Sequence, residues 1–226
     1  MSEDRHALLA AAARPRRATI DDAAVLSRLF AAAFAADPVM DWIARPAPMR
    51  ARALEQFFFW LLRVRAIPHG EVWMSADAGA CAAWLPPGAD ASPGGFIEQM
   101  KLMPLFVRLC GFPRLLRGSA MADAMERNHP HSPHFYLAFV AVAPRLQGLG
   151  LGGAILEATV KRADEASMPA YLENSNPRNT RLYERAGFVA GKNIAPKGAP
   201  ALLGMWREAR HPSRLASLAP QDDACA

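Results

Sequence analysis

The chain has 226 residues, 52 % of them apolar, with a net charge of +5 and a pI near 9.5. That length suits one domain with tails and a sizeable core, and no apolar run is long enough to span a bilayer, so no membrane partner is expected. The basic residues are scattered over residues 14–17, 50–65, 114–117 and Lys161-Arg162 with no aromatic platform among them. This argues against nucleic acid and for solubility plus attraction of an anionic small molecule.

In chain order, residues 1–14 read as a mobile N-terminal tail able to form a short helix, without the cleavage-like site of a secretory signal. Arg17-Ala18-Thr19 reads as a first strand running into a helix cap at Asp21-Asp22. Apolar residues at helical spacing then run from about Ala23 to Ala35, until Asp37-Pro38 breaks the pattern. A second helix is expected over residues 49–65, deeply packed because Phe57-Phe58-Phe59-Trp60-Leu61-Leu62 is apolar all round. Residues 71–74 and 81–85 read as a hairpin across Asp77-Ala78-Gly79-Ala80.

Residues 94–126 are mostly helical in pattern, interrupted near Gly111-Phe112-Pro113. Residues 135–143 form a central strand, followed by a glycine-rich turn and a helix with Leu156, Val160 and Ala163 inward. A strand at 170–173, a short helix at 177–185 and closing strands at 188–189 and 201–207 complete the domain, leaving 209–226 as a disordered tail. The order β, α, α, β, β, helical insert, β, α, β, α, β, β is mixed α/β. Cys81, Cys110 and Cys225 are too far apart for a disulfide framework or a metal site, and free thiols fit a reducing cytoplasm. His129, His131 and His134 read as histidines of a surface loop, since no Cys or carboxylate completes a metal set beside them.

The turn is the most informative stretch. Gln147, Gly148, Leu149, Gly150, Leu151, Gly152 and Gly153 separate a β-branched run from a helix. Strand, glycine turn and helix start together make a cradle for a pyrophosphate, because glycines allow close backbone approach and the helix start offers unpaired N–H groups. Gly148, Gly150 and Gly153 also spell G-x-G-x-x-G, with Glu173 about where a ribose-binding carboxylate would lie. A dinucleotide fold is disfavoured: four residues intervene between strand and first glycine, and too little chain follows for further βαβ units.

Gln147, Gly150 and Gly152 match the Q/R-x-x-G-x-G/A signature of the GNAT superfamily of N-acetyltransferases, which the chain resembles. A second patch agrees: Asn176 lies seven residues before Tyr183, and Gly187-Phe188 follow it by four and five. Within that superfamily the layout is similar to puromycin N-acetyltransferase-like proteins over nearly the whole domain, 15–208. The resemblance implies a mostly antiparallel mixed sheet with a splayed central strand, flanked by helices. It implies acetyl-CoA as co-substrate, no metal, and a small-molecule amine as acceptor, in a cytoplasmic monomer or homodimer.

By that resemblance, backbone N–H groups near Val140, Ala141 and Val142 bind the acetyl carbonyl and pantetheine arm. Residues Gln147 to Gly153 cradle the pyrophosphate, and Asn176 binds the cofactor arm. Asn179 either assists it or caps the helix after Pro177. Tyr183 is the general acid that protonates the departing thiolate; as a packed aromatic it would need only a satisfied hydroxyl. No general base is evident, the candidates being Glu173, Glu126, His134 and Asp41. A non-catalytic acyl-CoA-binding or regulatory module is the rival from another class, then a protein N-acetyltransferase or an NAD(P)-binding enzyme. Trp73, Trp84, residues 57–60 and residues 103–106 could line an acceptor pocket but are better suited to the core.

Overall fold

A computed structural model describes residues 2–89 and 96–210. A seven-stranded sheet forms the middle layer, in the order β1-β2-β3-β4-β5-β7-β6. Its strands are β1 (Arg16–Arg17), β2 (Val72–Met74), β3 (Ala80–Leu85), β4 (Phe135–Val142), β5 (Ala170–Asn174), β6 (Val189–Ile194) and β7 (Leu202–Arg207). All neighbouring pairs are antiparallel except β4 with β5. This is the mixed, mostly antiparallel GNAT sheet expected, and it is incompatible with the doubly wound parallel sheet of a dinucleotide fold.

One face carries α2 (Ala23–Phe34) and α4 (Arg50–Trp60). Leu26, Phe30, Leu54 and Phe58 are fully buried there against Val72, Met74, Cys81 and Ala141. Phe30, Phe34, Phe58 and Phe139 form one ring cluster with centroids 5.2–6.3 Å apart. The apolar run at 57–62 is thus explained by burial, although Phe59 points outward, and the helix widens into a π-type turn over Leu61–Ala66.

The opposite face is covered by α7 (Leu151–Glu165), whose Leu151, Ile155, Leu156 and Val160 pack on Ala82, Leu137, Ala170 and Leu172. Trp84 belongs to this core and donates its indole N–H to Thr159 Oγ at 3.0 Å. The N-terminal segment corrects the expectation of a mobile tail. It is α1 (Ser2–Ala13), laid along α7 with Ala12 wholly buried and Leu8 and Leu9 against the same core. Its weak amphipathic pattern hid this, because a run of alanines gives little apolar periodicity while allowing close helix packing.

A third cluster joins α3 (Pro38–Ile43) and α6 (Leu115–Asn128) to β6 and β7 through Val39, Met121, Ala124, Ile194 and Leu202. The helix α5 (Phe96–Cys110) precedes α6, and α8 (Thr180–Arg185) follows β5. The hairpin, the break at Gly111 and the succession of strands along the chain fall where the sequence placed them, although β6 runs on to Ile194; α3 had no periodic signal to show at six residues. Asp37 caps α3, accepting from the Val39 and Met40 N–H groups at 3.0 Å. Cys81 and Cys110 are buried and unpaired, and burial pushes the Cys110 thiol up to about 11. Cys225 and the expected disordered tail beyond Arg210 lie outside the described residues. No helix among the described residues is long and apolar enough to cross a membrane.

Candidate active site

The parallel pair β4–β5 is matched only at Phe135↔Ala170 and Tyr136↔Tyr171, after which the strands part. Along β3, Ala83 pairs with Phe139 but Trp84 with Leu137, so Ala138 is an extra residue bulged from β4. Ala138, Phe139, Val140 and Val142 are consequently half-exposed in the middle of a seven-stranded sheet. Backbone donors on the β5 side of this stretch have no neighbouring strand to bond. The side chain of Ala141 is buried among the α2 and α4 residues, so only its backbone faces the gap.

At the end of β4 the chain makes a short turn over Pro144–Leu146 and enters the glycine segment. Gly148 and Gly150 have φ of +80° and +97°, a region that a Cβ disfavours. Gly150 is the N-cap of α7 and brings no side chain to it, so the first-turn N–H groups of Leu151, Gly152 and Gly153 face outward uncapped. A Cβ on Gly152 or Gly153 would meet Val142 or Leu182 only at ordinary contact distance, 3.5–3.7 Å. At Gly150 it would meet Leu9 of α1 at 3.4 Å. Leu151 anchors the turn by burying its side chain in the α7 core, and Leu149 packs half-buried against it. Gln147 donates to the Val142 carbonyl at 3.2 Å, fixing the turn to the end of β4.

Beside the glycine turn, a groove of about 720 Å³ runs between α7 and α8, lined by Gly153, Lys161, Arg185 and Arg207 together with Glu157 and Asp164. Asn176 caps the turn at Pro177–Asn179, its Oδ1 accepting from the Arg178 N–H at 3.2 Å, which leaves its amide NH2 as a donor. Capping therefore belongs to Asn176; Asn179 is exposed and makes no side-chain cap. Tyr183 lies on α8, 9 % exposed, with its ring edge-on to Phe188. Burial, and after it the Asp37 carboxylate, push its phenol up to about 12. Asp37 accepts a short hydrogen bond from the Ser175 hydroxyl, so the α2–α3 turn and the end of β5 meet next to Tyr183. Sequence reading used Asp37 only as a helix breaker; its pairing with Ser175 spans 138 positions and leaves no local signal.

Alternation along the strands puts Phe135, Leu137, Ala170 and Leu172 against α7, and Tyr136, Tyr171 and Glu173 on the other face. There the Glu173 side chain is 1 % exposed. Tyr136 donates to its Oε2 at 2.6 Å, and His129 Nδ1 lies 3.5 Å from its Oε1. His129, at the end of α6, also contacts His134 Nε2 at 3.2 Å through its own Nε2. The histidines are therefore not those of a surface loop: His134 is buried and His129 is one-third exposed, and only His131 stays outside. Of the four base candidates, Glu173 and His134 fall in this cluster, whereas Asp41 is an exposed partner of Arg50. No group of three His, Cys, Asp or Glu side chains among the described residues is arranged to hold a metal.

The profile of the Acetyltransferase (GNAT) family matches residues 115–188, which contain the bulged strand, the glycine turn and Tyr183. The chain is 26 % identical over 172 residues to an uncharacterized N-acetyltransferase of Schizosaccharomyces pombe, covering 72 % of this chain and 68 % of that one. A crystal structure from Corynebacterium glutamicum, described as histone acetyltransferase HPA2 and related acetyltransferase, superposes with a TM-score of 0.66. Its identity is 26 %, over 88 % of this chain and 97 % of that one. The polyamine N-acetyltransferase of Drosophila melanogaster shares the fold at a TM-score of 0.56 and 16 % identity, over 86 % and 99 % of the two chains. Residues 115–188 thus match the GNAT acetyltransferase family, and the chain as a whole has the GNAT fold.

Proposed function

We propose that the protein transfers the acetyl group of acetyl-CoA to the amine of a small molecule. The observation that carries this reading is the uncapped start of α7, held by left-handed glycines beside the gap between β4 and β5. A pyrophosphate suits the first, and an extended thioester arm suits the second, because unpaired backbone N–H groups line both. Bound acetyl-CoA supplies an activated acyl carbonyl and a thiolate leaving group. Gly148, Gly150, Gly152 and Gly153 would hold its phosphates, with Lys161 and Arg185 adding charge from the adjoining groove. The β4 backbone at Val140 to Val142 would orient the arm and donate to the acyl oxygen, with Asn176 as a further donor. Tyr183, protonated at any pH well below about 12, would donate to the departing sulfur.

The sequence's resemblance in layout to puromycin N-acetyltransferase-like proteins supports a small-molecule acceptor. So does the fold shared with a protein named as a polyamine N-acetyltransferase. The test is a panel of small amines and of peptides with free N-termini or lysines, read by release of free CoA. Turnover of peptides alone would replace the acceptor class, and no turnover at all would remove the reading. Gly153→Glu is the control for the cradle. It puts a better helix former and a carboxylate into the first turn of α7, which suits the helix but repels phosphate. Acetyl-CoA affinity is expected to fall at least ~10-fold by calorimetry with the melting temperature unchanged or raised; unchanged affinity would refute the cradle assignment.

A further inference from the structure

The polar cluster on the far side of β5 from α7 has an accounting problem that its hydrogen bonds solve in only one way. Ser132 contributes a backbone carbonyl, which can only accept, 2.7 Å from His134 Nδ1. His134 Nδ1 must therefore carry its proton. Burial lowers the pKa of His134, so the ring is neutral and its Nε2 is an acceptor. His129 Nε2, 3.2 Å away, then has to be the donor of that pair. In a neutral ring this leaves a lone pair on His129 Nδ1. That atom faces Glu173 Oε1 at 3.5 Å, and Oε1 is a buried carboxylate oxygen with no hydrogen-bond partner. Two acceptors confront each other, and one added proton between them satisfies both.

We propose that His129 is the proton acceptor for the incoming amine, oriented and electrostatically supported by Glu173. This rests on the acetyl-transfer reading above. Three placements support it. Glu173 sits beyond Tyr171, on the part of β5 that has separated from β4, so the pair opens on the gap where transfer is proposed. It lies on the face opposite the cradle, from which an acceptor can approach without crossing the cofactor's path. And the His129 side chain is 31 % exposed while its Glu173 partner is 1 % exposed, so a proton can be taken at the ring and passed on to water. The His129 tautomer is set by His134, which accepts the Nε2 proton in a hydrogen bond, while the Glu173 carboxylate favours a positive charge on the ring once Nδ1 is protonated.

An alkylammonium N–H bond breaks, its electron pair stays on nitrogen, and the proton bonds to His129 Nδ1 against Glu173. The neutral amine forms the new C–N bond as the C–S bond breaks. The nitrogen's surplus proton ends on the departing sulfur through Tyr183, and His129 releases its own proton to water. Titratable groups facing His129 are His134 and Tyr136 from β4 and its approach, and Tyr171 and Glu173 from β5. Tyr136 stays protonated, because burial and then Glu173 raise its pKa well above the ordinary value, so it remains a donor to Oε2.

The test is kcat/KM against pH for wild type, His129→Gln and Glu173→Gln, with an amine that the wild type accepts and with acetyl-CoA affinity measured in parallel. At pH 7 His129→Gln is expected to lose ~10²-fold. The deficit should shrink as the pH approaches the amine's own pKa of ~10, since free amine then needs no base. A weakly basic acceptor should shrink it as well. Glu173→Gln should behave alike but lose less, and neither variant should change acetyl-CoA affinity more than a few-fold. A deficit constant across pH and across acceptors, or no deficit in the soluble folded His129→Gln protein, would overturn the proposal while leaving the acetyltransferase reading intact. If the wild type turned over no amine, both would fall together.

Discussion

Tyr183 shows how a single position acquires its chemistry. Its ring is held by Phe188, and its hydroxyl is drawn toward neutrality by burial and by the Asp37 carboxylate. A phenol raised to about 12 keeps its proton throughout the range in which a thiol of pKa ~8.5 ionises. Tyr183→Phe is therefore expected to lower kcat by ~10²-fold with acetyl-CoA affinity nearly unchanged. The wild-type rate should show no alkaline limb from this residue at any pH well below about 12. An unchanged kcat, in single-turnover kinetics that isolate the chemical step, would reduce Tyr183 to a packing role. The spacing from Asn176 to Tyr183 was legible in the chain, but the approach of Asp37 was not, because α2 and α3 reach α8 only through the folded sheet.

Among the elements, α1 departs furthest from its sequence appearance. Ala12 is wholly buried, Leu8 and Leu9 contact the α7 core, and the Leu9 side chain reaches to 3.4 Å of a Cβ position at Gly150. The helix thus lies against the same turn that caps α7, while the left-handed φ of Gly150 is what disfavours a side chain there. Deleting residues 2–13 would expose partly buried leucines and a stretch of α7, a loss on the order of 2 kcal/mol. For a domain of this size the melting temperature should drop by roughly 4–8 °C. A calorimetric scan of the truncated protein checks this; an unshifted transition would restore the view of a mobile tail.

Across the whole molecule, one buried ion pair joins segments far apart in sequence. Arg207, at the end of β7 and 2 % exposed, donates to both Asp164 oxygens of α7 at 2.7 and 2.8 Å. It also donates to the Ala186 carbonyl after α8 at 2.9 Å. The two helices flanking the groove beside the glycine turn are thereby fixed to the same strand. Removing one partner leaves a desolvated charge, so Arg207→Ala should cost about 3–5 kcal/mol in urea unfolding. Because Asp164→Ala removes the same contact, the double variant should cost well under the sum of the two; additive losses would mean that the pair is not coupled.

What the sequence determined by itself follows from local physics. Helical and alternating apolar periods, proline breaks and glycine turns depend on neighbours a few positions away, so α2, α4, α7 and the β2–β3 hairpin could be placed from residues alone. The left-handed glycine turn ahead of α7 was legible for the same reason, since backbone conformations open mainly to glycine must be written into the chain at that point. The tertiary structure decided what depends on distant partners. It paired α1 with α7, bulged β4 at Ala138 and parted it from β5. It also turned His129, His134 and Glu173, which read as a loop and a strand residue, into one network that is buried at Glu173 and His134 and partly exposed at His129. A contact between residues 44 positions apart has no period and no spacing rule, because its cost and its reward arise only when the sheet brings β5 beneath the end of α6.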